Sequence, residues 1–373
     1  MAPKIRGYYR QFEGLSEQEV NAELRKEAEE RRRLALAKVE PLDLSRTTWP
    51  EYPHPAIVNA ITFAARRGLH RYLDRGSTAL RKELAHRHGV PGERIVVGDG
   101  IAQLLADAAH ALLEPDDELV TPWPSYPLYP TVARHARGHA VPVSGFGAEP
   151  LLAAVNDRTR LLAICNPNDP TGELLGVDEL RGLLEALPER VVVLLDEALR
   201  DFTTAEEVDA TLALLEDFPR LLVFRTFSKA WGLAGLRCGY AIGGPGAEPL
   251  LEQLEPQLGV NELAQAGALE ALRTIPGVVD RRRAKVAAHR DRLTRELRER
   301  GAALPDSQAN VLWLPAPGPH GAADLSAALE RLGVVVQSGA GIGTPDRIRL
   351  TVPHREEDVE RVLRAVDHVP PQD

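Results

Sequence analysis

The feature that most constrains the fold is an alternation of short apolar runs with amphipathic segments between about residues 94 and 243. Seven runs are rich in β-branched and other apolar side chains, and they read RIVVG, ELVTPW, HAVPV, RLLAICNP, VVVLLDEA, LLVFRTFS and RCGYAIG. A strand that is apolar on both faces must be covered on both faces. The pattern therefore predicts an α/β fold in which a mostly parallel, seven-stranded sheet lies between two layers of helices.

Polar, glycine-rich segments follow four of these runs. They read GDGIAQ (98–103), NPNDPTG (166–172), DEALRD (196–201) and SKAWGLAGLR (228–237). In open α/β sheets, ligands bind at the loops that leave the carboxyl ends of the strands. We therefore expect these four loops to form one functional site.

The pattern changes after Leu254, where longer helices and three further strands indicate a second, smaller α/β domain. We expect helices at 261–274, 276–300 and 355–367, and strands at 309–314, 333–337 and 347–352. The predicted division is a charged helical arm (1–40) with a capping box at Ser16 and Glu19, an N-terminal part of the small domain (41–69), a large domain (70–255) and the C-terminal small domain (256–373).

Composition excludes several classes of function. The 373 residues carry a net charge of −9, so no basic excess exists to neutralise nucleic acid or an anionic membrane. Cys165 and Cys238 lie far apart in apolar segments, which argues against a disulfide and favours a reducing compartment. With no signal-like or membrane-spanning segment, we expect a soluble, cytoplasmic protein whose partners are small molecules or copies of itself.

The segment TFSKAWGLAGLRCGY (226–240) places Lys229 and Arg237 among small and apolar residues. Two cations there would cost solvation energy unless an anion lay between them. A lysine in such surroundings has a lowered pKa, and its neutral amine can form a Schiff base. Thr226, Ser228 and Arg237 suit a phosphate ester. An isolated surface lysine would be the ordinary interpretation, but this context favours the functional one.

Three other positions are candidates for the same site. Gly100 directly precedes a helical pattern, whose free N–H groups attract anions, although many such turns need glycine only for steric reasons. Asp196 ends an apolar strand, where it either caps the next turn or faces a buried cation. Tyr126 can lay its ring on a flat heterocycle, or simply pack.

Together, NPNDPTG (166–172), DEA (196–198) and TFSKAWGLAGLRCGY (226–240) resemble the fold type I, class I/II aminotransferases, which use pyridoxal 5′-phosphate. The likeness is greatest to histidinol-phosphate aminotransferases, and it extends from about residue 42 to 368. It implies the aspartate aminotransferase-like, three-layer fold and a ping-pong transfer of an amino group from an L-amino acid or related amine to a 2-oxo acid.

The resemblance also implies residue roles. Lys229 would carry the cofactor as an aldimine, Asp196 would pair with the pyridinium nitrogen, and Tyr126 would stack on the ring. The remaining cofactor contacts would come from Gly100, Ile101, Ala102, Asn168, Asp169, Thr226, Ser228 and Arg237. Tyr72 matches a tyrosine that reaches the phosphate of the neighbouring subunit, which implies a homodimer with shared sites. Arg349 matches the arginine that fixes the substrate carboxylate, with Asn310 nearby.

Three positions depart from the family pattern. Asp169 stands where an asparagine usually donates to the phenolic oxygen of the cofactor, and Leu199 stands where a tyrosine donates to the same oxygen. We expect this oxygen to stay protonated to higher pH, or to be served by Asn168 or water. Gln337 replaces an additional arginine of histidinol-phosphate enzymes. Arg349 alone suits one carboxylate, which favours an amino acid over histidinol phosphate.

Other interpretations remain open from the sequence. They include histidinol-phosphate aminotransferase itself and a decarboxylase or lyase on the same fold, because Lys229 and Asp196 serve any reaction of this cofactor. A nucleotide-binding oxidoreductase built on GAGIG (339–343) is disfavoured because a strand, not a helix, follows it. We predict no metal site, since His135 and His139 lack the flanking pattern of a metal-binding helix.

Overall fold

The computed structural model describes residues 16, 18–22, 24–26, 40–316 and 321–369. Within these ranges, no helix is long and apolar enough to cross a membrane. No group of three His, Cys, Asp or Glu side chains there is arranged to hold a metal ion.

The largest element is a seven-stranded sheet, which confirms the predicted architecture. Its strands are β2 (Ile95–Gly98), β3 (Glu118–Trp123), β4 (His139–Ser144), β5 (Thr159–Cys165), β6 (Val192–Asp196), β7 (Leu221–Thr226) and β8 (Gly239–Gly243), in the order β2-β8-β7-β6-β5-β3-β4. Only β8 runs against its neighbours. The carboxyl ends of the other strands therefore meet at one edge of the sheet.

Helices cover both faces of this sheet. Helix α1 (Pro55–Gly68) instead packs against the helix Glu262–Thr274. The covering helices are α2 (Thr78–His88), α3 (Ile101–Leu112), α4 (Leu128–His135), α5 (Ala148–Ala154), α6 (Val177–Ala186) and α7 (Glu248–Gln253). Strand β5 shows how the side chains of one strand are divided between the two faces of the sheet. Leu161 and Ala163 pack into the core formed with α3 and α4, whereas Leu162 and Ile164 pack into the core on the opposite face. This alternation follows from the two-residue period of a strand.

The C-terminal region contains three longer helices: α8 (Glu262–Thr274), α9 (Val278–Glu299) and α11 (Glu356–Asp367), as the sequence predicted to within a few residues. The side chain of Asn261 caps α8 by accepting a hydrogen bond from the Ala264 N–H. Helix α10 (Gly321–Arg331) follows strand β9 (Val311–Pro315).

Two small sheets accompany these helices. Strand β1 (Leu42–Asp43) pairs in parallel with β10 (Val334–Val335), and β11 (Gln337–Ser338) pairs with β12 (Arg347–Thr351), which in turn pairs with β9. The single strand predicted at 333–337 is thus two short strands. Its first half pairs with the N-terminal segment and its second half with the three-stranded sheet, so the backbone changes partners between them.

The predicted N-terminal arm is described only in part. Residues 18–22 and 24–26 are helical. The Ser16 N–H donates to the Glu19 carboxylate at 2.8 Å, and the Glu19 N–H donates to Ser16 Oγ at 3.4 Å, which is the predicted capping box. The rest of the arm lies outside the described residues.

Candidate active site

A cavity of about 190 Å³ opens at the carboxyl edge of the large sheet, where β5, β6 and β7 end side by side. We call it the site cavity. Most of the predicted site residues line it: Ile101, Ala102, Tyr126, Asp169, Asp196, Thr226, Ser228, Lys229 and Arg237. Two larger hollows, of about 530 and 710 Å³, are open surface grooves whose linings do not include Lys229.

One end of the site cavity combines a helix N-terminus with a guanidinium group. Gly100 immediately precedes α3 and has a positive φ of 81°. A Cβ atom at Gly100 would lie only 2.6 Å from Arg237 Nη2 and would displace this guanidinium, and the positive φ itself favours glycine. The first N–H groups of α3 have no helical acceptors, and together with Arg237 they concentrate positive charge at this end.

Two hydroxyl side chains lie at the same end. Thr226 ends β7 opposite Gly239 of β8, and its Oγ accepts a hydrogen bond from the Ser228 N–H at 3.0 Å. A Cβ atom at Gly239 would lie 2.8 Å from the Ile101 nitrogen, so a larger residue would push β8 away from α3. The loops that follow β2 and β7 are thereby held in contact, as the sequence predicted from the carboxyl-edge rule.

Lys229 lies half-buried in the loop after β7, and its Nζ donates a hydrogen bond to Thr47 Oγ1. Burial lowers the pKa of the Lys229 ammonium, and the nearby Arg349 guanidinium lowers it further. The carboxylates of Asp169 and Asp196 act in the opposite direction without restoring the usual value. The amine is therefore easier to deprotonate than that of an exposed lysine.

Asp196 ends β6 with a side chain that is almost completely buried, at 1% exposure. The Tyr129 hydroxyl donates to its Oδ2 at 2.9 Å, and the Ala198 N–H donates to its Oδ1 at 3.0 Å. Burial raises the pKa of Asp196 to about 6, although both hydrogen bonds favour the ionised form. A carboxylate in this position calls for a cationic partner.

Tyr129 is a site residue that the sequence analysis missed. It lies on α4, three residues after Tyr126, and the two rings meet edge to face with centroids 5.8 Å apart. The segment SYPLYP offered both tyrosines, but only the α4 helix shows that the second one turns inward to the Asp196 carboxylate. Tyr126 itself lines the site cavity.

At the other end of the site, the guanidinium of Arg349 on β12 is hydrogen-bonded to two oxygen atoms of the protein. Its Nη1 donates to Asp169 Oδ1 at 2.6 Å, and its Nη2 donates to the Ser45 carbonyl oxygen at 2.6 Å. Its Nε is buried without a hydrogen-bond partner in the described part of the chain. Gln337 lies directly opposite Arg349 in the register between β11 and β12. The sequence indicated neither the ion pair nor the contact with Ser45.

Some predicted residues lie outside the site cavity. The Asn168 amide donates to the Pro124 carbonyl and to Thr171 Oγ1, both at 3.0 Å, and its oxygen accepts from the Ser125 hydroxyl at 2.7 Å. Asn168 is therefore bonded to its own turn and to the segment that follows β3. Tyr72 is 94% exposed and faces away from the chain.

The segment before α1 supplies a further wall that the sequence did not predict. Thr47 is buried beside Lys229, and Thr48 lines the site cavity. Asn310 Nδ2 donates to the Thr47 carbonyl at 3.3 Å, which ties this wall to the segment leading into β9. The residue Leu199 also lines the site cavity, where its side chain has no hydrogen to donate.

The family model for aminotransferase class I and II matches residues 35–366 of this sequence. The chain belongs to this family. The matched range includes every residue that lines the site cavity.

Similar proteins are named as aminotransferases. The chain is 37% identical over 323 residues to an aromatic amino acid aminotransferase of Corynebacterium efficiens, covering 85% of this chain and 90% of that one. It is 36% identical over 324 residues to histidinol-phosphate aminotransferase 1 of Nitrosococcus oceani, covering 86% of each. The crystal structure of histidinol-phosphate aminotransferase from Sinorhizobium meliloti, in complex with pyridoxal 5′-phosphate, aligns with a TM-score of 0.76 and 27% identity over 91% of this chain and 92% of that one.

The protein is thus an aminotransferase that depends on pyridoxal 5′-phosphate and has the three-layer α/β fold of that family. The residues of the site cavity fit this cofactor. A buried carboxylate at Asp196 needs a cation, Lys229 is an amine with a lowered pKa, and Arg237 beside the start of α3 forms a cradle for a phosphate.

Proposed function

We propose that this aminotransferase moves an amino group between an L-amino acid and a 2-oxo acid, and that it does so as a homodimer with shared sites. The observation that carries the proposal is that Lys229, Asp196 and Arg237 line one cavity whose far side adjoins Arg349. Each of these groups has a separate task, and their order along the cavity fixes the orientation of cofactor and substrate.

The phosphate end of the cofactor is held by Arg237, by the hydroxyls of Thr226 and Ser228, and by the first amides of α3. These groups combine a guanidinium, two hydroxyl donors and a helix N-terminus, which is the set that binds a phosphate dianion well. The restraint on Gly100 supports this assignment, because a side chain there would displace the Arg237 guanidinium.

The ring end is held by Asp196 and Tyr126. Asp196 carries a negative charge in a buried position and stabilises a protonated ring nitrogen, while Tyr129 and the Ala198 N–H fix the orientation of the carboxylate. Tyr126 lines the cavity and offers an aromatic face to the ring.

Lys229 has two tasks. It holds the cofactor through Nζ between turnovers, and once released it accepts and returns the proton at the substrate Cα through the same nitrogen. When bound, the cofactor supplies an electron-accepting ring that makes this proton acidic. The lowered pKa of Lys229 makes the amine easier to deprotonate, and its position in the cavity provides the proximity that proton transfer requires.

Arg349 binds the substrate carboxylate, and the neutral Gln337 beside it supplies no second cation for a phosphate. This arrangement supports an amino acid as the donor rather than histidinol phosphate. The resemblance to aromatic amino acid aminotransferases makes phenylalanine, tyrosine and tryptophan the first donors to test.

A homodimer is supported by an apolar face on and around α1. The exposed large apolar side chains there are Tyr52, Val58, Phe63, Leu69 and Tyr72, together with Leu258. Leu258 lies near the segment between α1 and α2, because the neighbouring Gly259 approaches the backbone of Arg75. Several large apolar side chains left exposed in one region favour burial against a second copy. Tyr72 on this face would then reach the phosphate end of the partner's site.

The donor is tested by steady-state kinetics with 2-oxoglutarate as acceptor. We expect a higher kcat/KM for an aromatic amino acid than for histidinol phosphate. Efficient use of histidinol phosphate would instead assign the enzyme to that substrate, and release of carbon dioxide from an amino acid without amino transfer would assign it to the decarboxylases.

The shared site is tested by mixing two inactive variants, Tyr72→Ala and Lys229→Ala. If Tyr72 acts across the interface, a mixed dimer has one intact site, and random exchange of subunits should restore about a quarter of the wild-type activity. Sedimentation analysis checks the dimer itself. A monomer, or a mixture that stays inactive although subunits exchange, contradicts the shared site.

A further inference from the structure

The ion pair between Asp169 and Arg349 has a consequence for substrate selection. Its two side chains are 13% and 11% exposed, so the pair is largely shielded from solvent, and its atoms lie 2.6 Å apart. Both Nη groups of Arg349 are taken by protein oxygens, from Asp169 and from the Ser45 carbonyl. A substrate carboxylate that binds Arg349 must therefore compete with a carboxylate that the chain itself provides.

We propose that Asp169 is a specificity-determining residue that competes with the substrate carboxylate for Arg349. The inference rests on the proposed role of Arg349 as the carboxylate site. It adds that the chain places its own carboxylate on this arginine, so that a carboxylate ligand binds less tightly than it would to an arginine without such a partner.

Charge balance supports this competition between carboxylates. Besides Arg349, the titratable groups that act on or beside Asp169 are Lys229, Asp196, Cys165 and Tyr126, from the loop after β7, the end of β6, the end of β5 and the segment before α4. A second carboxylate placed next to Asp169 and Asp196 would repel both. A neutral side chain at position 169 would remove the nearer repulsion and free Nη1 of Arg349 for the incoming carboxylate.

A purely structural role for the pair makes the opposite prediction. Asp169 lies in the turn after β5 and Arg349 in β12, so the ion pair joins the large sheet to the three-stranded sheet. If its only purpose were to hold these parts together, replacing Asp169 would loosen the site and weaken the binding of every ligand.

The experiment measures equilibrium binding of two unreactive probes to the holoenzyme by calorimetry: 3-phenylpropionate, which has a carboxylate, and 3-phenylpropanamide, its neutral counterpart. We expect Asp169→Asn to bind the carboxylate about tenfold more tightly than the wild type at about pH 8, because one close like charge is lost. The amide should bind both proteins alike.

The matched control is Asp346→Asn, because this carboxylate is exposed, lies three residues before Arg349 and is 3.9 Å from Arg347 instead.

Equal or weaker binding of the carboxylate by Asp169→Asn overturns the proposal. If Asp169→Asn does not fold, Asp169→Ser takes its place, with the same expected results. Neither probe is turned over, so these results do not depend on which amino donor the enzyme uses. Absence of amino transfer by the wild type would reject the proposed function without changing the binding result.

Discussion

Asp196 and Glu197 are neighbours in the sequence and are both buried, at 1% and 2% exposure, yet they belong to two different regions. Asp196 faces the site cavity, whereas Glu197 lies on the opposite side of the sheet with Arg225. The same division separates Thr226, in the site, from Arg225. Successive residues of a strand point to opposite faces, so neighbouring residues at the ends of β6 and β7 reach either the site cavity or the buried ion pairs behind the sheet.

The region around Glu197 is an ionic network in which each charged side chain has hydrogen-bonding partners of opposite charge or a hydroxyl. Arg225 donates to Glu197 Oε2 through Nε at 2.9 Å and Nη2 at 2.8 Å, and it also donates to Asp209. Thr211 donates to the other Glu197 oxygen at 2.6 Å. Burial lowers the pKa of Arg225, but the two carboxylates outweigh this and raise it above the usual value.

In the site cavity, by contrast, the charged groups lack a full set of partners from the described ranges. The pKa of Asp196 is raised and that of Lys229 is lowered, so both charged forms are disfavoured by burial. Arg349 keeps a buried Nε without a partner among the described residues. Charges that are satisfied within the protein stabilise the fold, whereas charges that are incompletely satisfied are available to a cofactor and a substrate.

The largest expected effect that separates the two regions is that of Lys229→Ala on activity. We expect kcat/KM for amino transfer to fall roughly 10⁴-fold, because the cofactor attachment and the proton-transferring amine are both lost. Borohydride treatment should no longer attach the cofactor covalently to the chain. Thermal stability should be unchanged or higher.

The control for Lys229→Ala is Lys285→Ala, which removes an exposed lysine of α9 and should leave the kinetics unaltered. Amino transfer at the normal rate by Lys229→Ala would show that the reactive amine lies elsewhere.

The second effect concerns stability in the network behind the sheet. Glu197→Gln leaves the Arg225 guanidinium short of a buried counterion, and we expect the free energy of unfolding to fall by about 3–5 kcal/mol. Urea denaturation measures this, with the exposed Glu207→Gln as control. The folded fraction should retain the wild-type KM. A large change in KM with little loss of stability would show that the two regions are not separate.

Asp196→Asn should change activity and stability in opposite directions. We expect kcat to fall by about 10²-fold or more, because the charge that stabilises the protonated ring is removed. The folded apoprotein binds the Asp196 proton more tightly than the unfolded chain does, so its stability falls as pH rises from about 4 to about 6.

Asn at position 196 removes this cost, and the apoprotein of Asp196→Asn should be more stable than wild-type apoprotein above about pH 6, by up to about 3 kcal/mol. Thermal unfolding of both apoproteins between about pH 4 and 8 tests this. A variant apoprotein that is less stable at every pH would indicate that Asp196 belongs with the structural charges.

The smallest expected effect is the pH dependence of the network. His88 contacts Asp209 at 3.1 Å and the Tyr240 hydroxyl at 2.9 Å, and burial lowers its pKa below the usual 6.5. The unfolded chain therefore takes up a proton first as pH falls through about 6.5, and the native state loses stability by at most about 1.4 kcal/mol per pH unit.

His88→Gln should flatten this slope between about pH 7.5 and 5.5, whereas His139→Gln, at an exposed histidine, should keep it. Urea denaturation at several pH values compares the three proteins. An unchanged slope in His88→Gln would place the titrating group outside the network.

Much of the fold could be predicted because its signals are local. The apolar runs that became β5, β6 and β7 are continuous in the sequence, and the polar loops after them lie at one edge because parallel strands end there. Lys229 and Asp196 could be predicted for the same reason, since each directly follows or ends such a run.

The missed contacts join distant parts of the chain. Thr47 is 182 residues from Lys229, and Asp169 is 180 residues from Arg349. No periodicity links such positions. Tyr129 is close in sequence to a predicted residue, but its inward direction depends on how α4 packs against the large sheet.

The sequence by itself determined which strands and loops form the sheet and which side chains carry reactive groups, because hydrophobic period and residue chemistry are properties of short segments. Only the tertiary structure decided which charges neutralise one another. Arg349 meets Asp169, and Glu197 meets Arg225, because packed elements bring them within a few ångströms. Electrostatic energy depends on that distance and on burial, and neither quantity can be read from the sequence.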